Sequence, residues 1–196
     1  VGIVGRMRNA ADGRRPDRPR PDRGATDPGD PTAGRSSRDR LVGAMRDALQ
    51  RRGLRGAGVA DLLAEAGTPR GVLYHHFPGG KEALAVAALD AYVAQLCAAL
   101  DRALAPTAPD PLDALAHGLA AAEARAVADG FARGCPLAVV ALEATPDDVG
   151  LRRALADAFA AIRGRIAGAL AAAGRDREDA EGIAALVVAT YEGGLL

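Results

Sequence analysis

Between Thr68 and Lys81 the chain gathers side chains suited to gripping a polyanion and reading what it carries. Arg70 presents a planar guanidinium that can contact a phosphate or pair bidentately with a guanine edge. Thr68 offers a hydroxyl to a phosphate. Gly71 has no side chain, so a backbone can approach closely there. Tyr74 and His75 follow one turn later, with a hydroxyl and an imidazole that can reach phosphate or base. Lys81 brings a charge to a predicted helix start, where free N–H groups also attract phosphate.

These residues need elements that hold them on one surface. Residues 59–77 read VADLLAEAGTPRGVLYHHF. Val59–Ala66 is expected to be a short helix stopped by Gly67. Thr68 and Pro69 then form a strong helix start, Thr as N-cap and Pro in the first helical position, with the helix running to about His75. Helix, glycine-containing turn and short helix make a helix-turn-helix, whose second helix is expected in a DNA major groove. Leu62, Leu63, Leu73 and Phe77 would hold the pair together. Before it, Ser36 or Ser37 caps a helix carrying Leu41, Ala44, Met45, Ala48 and Leu49 on one face, ended by Gly53. After it, Pro78-Gly79-Gly80 breaks the chain and Lys81 opens a long apolar helix to about Leu104.

The rest of the sequence also reads as helix. Pro106, Pro109 and Pro111 mark a loop, Leu112–Asp129 and Leu137–Ala144 are further helices, and Thr145–Asp148 is a turn with capping residues. Leu151, Leu155, Phe159, Ile162, Ile166 and Leu170 recur at three- and four-residue steps, which defines an amphipathic helix closed by Gly174. A last helix starts near Asp179 and carries Ile183, Leu186, Val187, Thr190 and Tyr191. Hydrophobic residues are 49% of the 196-residue chain but aromatics only 3%, so the core is built from alanine and aliphatics, which favour helix. The fold class is all-α: an N-terminal helix-turn-helix head over 36–85 and a C-terminal helical bundle over 86–196.

The formal charge is zero, yet it is unevenly spread. Residues 35–81 hold nine basic side chains against four acids, and residues 91–196 hold nine against fourteen. A basic head on an acidic body suits an anionic partner at one end. Residues 1–35, rich in Arg, Asp, Pro and Gly, are expected to be a disordered tail. The start lacks the apolar core of a signal peptide, and no uninterrupted apolar run of membrane-spanning length is evident. A cytoplasmic protein without membrane contact is the expectation.

The run AGTPRGVLYHHFPGGKEAL resembles the signature of the TetR/AcrR family of transcriptional regulators. The Ala-Gly turn, Gly71, Leu73-Tyr74, Phe77 and Lys81-Glu82-Ala83-Leu84 stand in the family's places. Pro78-Gly79-Gly80-Lys81 and Gly134-Cys135-Pro136-Leu137 look like the LmrA/YxaF-type branch. The resemblance implies a homodimer that binds double-stranded operator DNA through Thr68, Arg70, Gly71, Val72, Tyr74, His75 and Lys81. It further implies a repressor released by a small-molecule effector, with no enzyme activity, metal or cofactor. Two positions depart from the family. Gly58 replaces the usual Ser or Thr cap of the second helix, and Val72 replaces a small residue. Val72 can meet a thymine methyl but cannot hydrogen-bond.

The family's effector site would lie in the body, where anchors are few: Tyr92, His117, Phe131, Cys135, Glu143 and Tyr191. Its dimer interface would use the last two helices, through Leu155, Phe159, Ile162, Ile166, Ile183 and Val187. Other constellations are weaker. His75 and His76 are adjacent and diverge by about 100° on a helix, which hinders chelation of one ion. Cys97 and Cys135 are isolated thiols, more ordinary as small core residues than as a redox pair. Gly79-Gly80-Lys81 lacks the rest of a phosphate loop. The chain begins with Val1, and its last helix is still running at Leu196 without cap or proline stop, so more sequence is expected beyond that end.

Overall fold

The computed structural model describes residues 35–105 and 110–194, and these form eight α-helices with no strand. They are α1 (Ser37–Gly56), α2 (Val59–Glu65), α3 (Arg70–His76), α4 (Gly80–Ala103), α5 (Pro111–Ala128), α6 (Pro136–Glu143), α7 (Val149–Ala172) and α8 (Arg177–Gly194). The arginine-rich tail, the loop prolines Pro106 and Pro109, and the terminal leucines lie outside the described residues. Pro111 belongs to the first turn of α5 instead of the loop. There its missing N–H costs nothing.

The head forms because α1 lays an apolar face across the two short helices. Leu41, Met45, Ala48 and Leu49 of α1 are buried with Leu62, Leu73 and Phe77, while Leu63 is half-buried. Ser36 caps α1, its hydroxyl oxygen accepting from the Asp39 N–H at 3.1 Å. Arg40 reaches across, Nε donating to the Ala66 carbonyl at 2.9 Å. That bond fixes the end of α2, where a carbonyl would otherwise lack a partner.

Two sequence expectations change here. Thr68 does not cap α3. It completes the closure of α2: its N–H donates to the Leu63 carbonyl, Gly67 N–H donates to Ala64, and Gly67 takes φ +58°. This is the left-handed helix ending that glycine favours. The N-cap of α3 is Pro69, without a side-chain hydrogen bond. Gly53, in turn, does not end α1. It kinks the helix at φ 71°, ψ −178°, and helical structure resumes to Gly56. That backbone region is essentially reserved for glycine.

In the body, α4 runs from the head across the bundle, packed against α1 on one side and α7 on the other. The head–body boundary placed at residue 85 therefore falls inside one continuous helix. By length and composition α4 is apolar enough to cross a membrane; here it is the shared core helix, with Leu84, Ala85, Ala88, Leu89 and Cys97 buried. Helix α8 packs along α7.

The amphipathic stripe of α7 faces inward. Leu155, Ile162 and Ile166 are at most 6% exposed within one chain, and Phe159, Ile183 and Val187 are half-buried against the same core. Leu155, Ile162 and Ile166, expected at a dimer interface, are buried within the single chain. The stripe is covered by the chain's own helices, which leaves those side chains no free face.

Candidate nucleic-acid interface and the body behind it

Helix α3 is short and exposed along one side. Its side chains Arg70, Tyr74 and His75 project to solvent beside the bare Gly71, with Tyr74 45% exposed. The Arg70 guanidinium sits 5.9 Å from the Tyr74 ring centroid, a cation–π distance that arranges the two as a pair. Nothing lies within 4 Å of the place where a Gly71 side chain would start. Val72 is half-buried, and Thr68 is 8% exposed with its Oγ1 enclosed and unpartnered. The structure thus brings Arg70, Gly71, Tyr74 and His75 together and sets Val72 and Thr68 below them.

Lys81 stands in the first turn of α4, half-buried, after a turn in which Gly80 takes φ +65°. A Cβ on Gly80 would sit 3.5 Å from the Tyr74 ring, so this turn also seats the tyrosine. His76 faces the other way, Nε2 lying 2.9 Å from the Ser37 hydroxyl of α1. It belongs to the scaffold. Gly58 is the N-cap of α2 and makes no side-chain bond. Asp61 fills the space there, its carboxylate 3.0 Å from where a Gly58 Cβ would lie.

The six pocket candidates separate. Tyr92, Cys135 and Tyr191 meet inside the body. The two phenol oxygens are 3.2 Å apart, and the Cys135 thiol donates to Glu192 Oε1 at 3.3 Å, with Tyr92 Oη at 3.9 Å. His117 is exposed on α5, Nδ1 donating to the Asp113 carbonyl at 2.6 Å. Phe131 is 60% exposed, in the turn closing α5. Glu143 lies elsewhere again. Its Oε2 accepts from the backbone N–H groups of Leu54 at 2.6 Å and Arg55 at 3.0 Å, just past the Gly53 kink. A side chain on Gly53 would collide with Glu143. Gly134 N–H also donates to the Gln50 carbonyl at 2.9 Å. The last residue of α6 and the segment just before it are thereby tied to α1.

Glu192 is the residue the sequence did not single out. Its Oε2 is buried and has no hydrogen-bond partner. Burial pushes its carboxyl above the ordinary carboxylate value, and burial likewise pushes the Cys135 thiol up to about 12 and both phenols upward. The signal was an acid directly after Tyr191, in the turn of α8 that follows the half-buried Val187 and Val188. Two cavities flank this cluster. One, of about 210 Å³, lies among α4, α5, α7 and α8 and is lined mainly by leucine, isoleucine and valine, with Arg125, Tyr191 and Glu192. The other, of about 230 Å³, is polar and includes Gln50, Tyr92, Arg125, Asp129 and Arg133.

Known proteins share both halves. Residues 41–88 match the family model of bacterial regulatory proteins, tetR family, and residues 111–196 match that of the LmrA/YxaF-like transcriptional regulator C-terminal domain. The HTH-type transcriptional regulator LmrA of Bacillus subtilis (strain 168) is 29% identical over 163 residues, covering 82% of this chain and 85% of that one. The fold is similar to that of regulatory protein TetR from Rhodobacter sphaeroides, with TM-score 0.70 and 28% identity over 81% of this chain and 86% of that one. It is also similar to CifR, a TetR family transcriptional regulator whose cysteine mutant was solved with 26bp double-strand operator DNA, with TM-score 0.57 and 27% identity over 81% and 95%. A matching head, a matching body and a shared helical fold together place this chain in the TetR family of DNA-binding transcriptional regulators.

Proposed function

We propose that the chain is a repressor of the LmrA/YxaF-like branch that binds operator DNA as a homodimer and is released when a small molecule enters its body. The observation that carries the reading is the exposed face of α3. Arg70, Tyr74 and His75 surround a bare Gly71, with Lys81 at the start of the next helix. Arginine and lysine supply phosphate attraction, and Arg70 can also read a guanine edge. The operator complex of the similar protein CifR supports the same use of the head. Thr68 and Val72 serve this reading as supports of the recognition helix more than as its outer surface.

A symmetric partner suits the outer side of α7 and α8. Between them runs a groove of about 580 Å³ walled by Gly164, Ala167, Gly168, Ala171, Ala184 and Ala185, small residues that let a second copy's helices approach closely. Two-fold pairing presents two heads to half-sites about one helical turn or a multiple of it apart, roughly 34–36 Å.

The link between ligand and head runs through α6. Its first residues adjoin the Cys135 cluster, and its last residue grips the α1 kink through Glu143. A ligand that binds the released arrangement more tightly than the DNA-bound one moves the equilibrium by that difference. The experiment is a selection of fragments from the source genome by the purified chain, followed by gel shift with excess nonspecific DNA. Enrichment of discrete fragments containing an inverted repeat is expected. Binding that nonspecific DNA removes completely contradicts the proposal.

A further inference from the structure

We propose that the apolar cavity among α4, α5, α7 and α8 takes a small, mostly hydrocarbon molecule bearing a protonated amine, with Glu192 as its counter-ion. This rests on the reading of the body as an effector site and names the chemistry of that site. The cavity wall includes Leu96, Leu100, Leu115, Ile162, Ile166 and Val187, and Tyr191 and Glu192 also line it. Its volume of about 210 Å³ lies below the roughly 300 Å³ at which pockets for drug-sized ligands begin, so the ligand is small.

The polar end is unbalanced. The Cys135 thiol satisfies Glu192 Oε1, and the two phenols share one hydrogen bond with each other. Glu192 Oε2 is left as an enclosed acceptor with no donor. No basic side chain lies within ion-pair distance of Glu192 among the described residues. A buried carboxylate without a partner is costly, and a cation with N–H donors supplies both the charge and the bond. Glu192 itself lines that cavity. The Tyr191 ring, which lines the same cavity, offers cation–π contact to the same ammonium.

Arg125 and Arg133 favour the opposite ligand charge, but both are exposed side chains that water can solvate without a ligand. Arg125 borders both cavities and Arg133 only the polar one. The unmet demand inside the apolar cavity is therefore for a donor.

The test is calorimetric titration of the full chain at neutral pH with three probes of one shape: 2-phenylethylamine, 2-phenylethanol and phenylacetate. The amine is expected to bind about tenfold or more tighter than the alcohol, as a charge-assisted bond replaces a neutral one. Glu192→Gln should remove that preference while leaving alcohol affinity within about threefold, and Leu100→Trp, which fills the cavity, should weaken both. Circular dichroism and thermal melting of each variant verify folding, and Glu192→Asp offers a second carboxylate at shorter reach. Equal affinity for amine and alcohol overturns the charge assignment and leaves the cavity as a ligand site. Tightest binding of phenylacetate overturns it in favour of the arginines. Binding of none of the three at millimolar concentration, or binding indifferent to Leu100→Trp, overturns both the assignment and the site.

Discussion

The head and the body use polar side chains in opposite ways. In the head, Arg70, Tyr74 and His75 project to solvent from a short helix whose inner face is held by Leu73 and Phe77. In the body, Tyr92, Cys135, Tyr191 and Glu192 are turned inward, where burial disfavours the charged form of each. An exposed polar set adds little to folding and remains free for a partner. An enclosed set shapes stability and responds to whatever enters beside it. The junction between the two regions, Glu143 on the backbone of Leu54 and Arg55, is where a change in one can be felt by the other.

The largest effects are expected at the junction. Gly53→Ala forces a side chain into a backbone region reserved for glycine and drives its Cβ against Glu143 and Val139. A loss of about 3 kcal/mol in unfolding free energy is expected, measured by urea denaturation. Glu143→Ala keeps the kink but strips the acceptor from two N–H groups, and about 1–3 kcal/mol should be lost in the same measurement. If either variant is as stable as the parent, the grip of α6 on α1 is not a structural tie.

The enclosed set gives the next effect, with a definite sign. The Glu192 carboxyl is held above its ordinary 4.5 by burial, so the folded state favours the protonated form. Its contribution is fully present below that ordinary value and is lost as pH rises through the higher folded value. Glu192→Gln mimics the protonated group. Its melting temperature should equal the parent's near pH 4 and exceed it by about 2 °C at pH 8. A parent that gains on the variant as pH rises would show a carboxylate stabilised by a partner.

Cys135 makes a smaller, chemical distinction. With its thiol pushed up to about 12 from an ordinary 9.0, only about one molecule in ten thousand carries the thiolate at pH 8. Cys97 is buried as well. Neither thiol should react with Ellman's reagent until denaturant is added. Rapid reaction of the native chain would restore the redox-sensor alternative.

The head was the more legible region for a physical reason. Its function needs particular residue types in a short local run, and local runs are what a sequence displays. Even there Thr68 was misplaced, because Gly67 as the end of α2 and Thr68 as the start of α3 compete for one turn, and the α2 ending took the Thr68 N–H. The body's helices were readable from spacing, but spacing does not name what covers an apolar stripe. Ile162 and Ile166 read from spacing as interface residues, whereas in the single chain both are buried beside α4 and α8. The roles of Glu143 and Glu192 depend on partners far along the chain, 89 residues away for Leu54 and 57 for Cys135. Gly53 announced a break without announcing that the helix resumes.

The subtlest test of the head concerns Gly71. It is helical with open space around it. Gly71→Ala should therefore raise stability by about 0.4–1 kcal/mol through the unfolded chain, yet weaken DNA binding by adding bulk where a backbone must approach. Unchanged DNA affinity would place the contact surface elsewhere.

The proposed regulator holds DNA on the exposed face of α3. Fluorescence anisotropy titration, with operator DNA recovered by fragment selection and a salt series, tests it most directly. Arg70→Ala and Tyr74→Ala should keep fold and assembly but lose specific affinity, with about 1–3 kcal/mol lost at a base-reading Arg70. Lys81→Ala should weaken binding to every sequence and reduce the salt slope by about one. Three variants that bind the operator like the parent, at every salt concentration, would contradict the account.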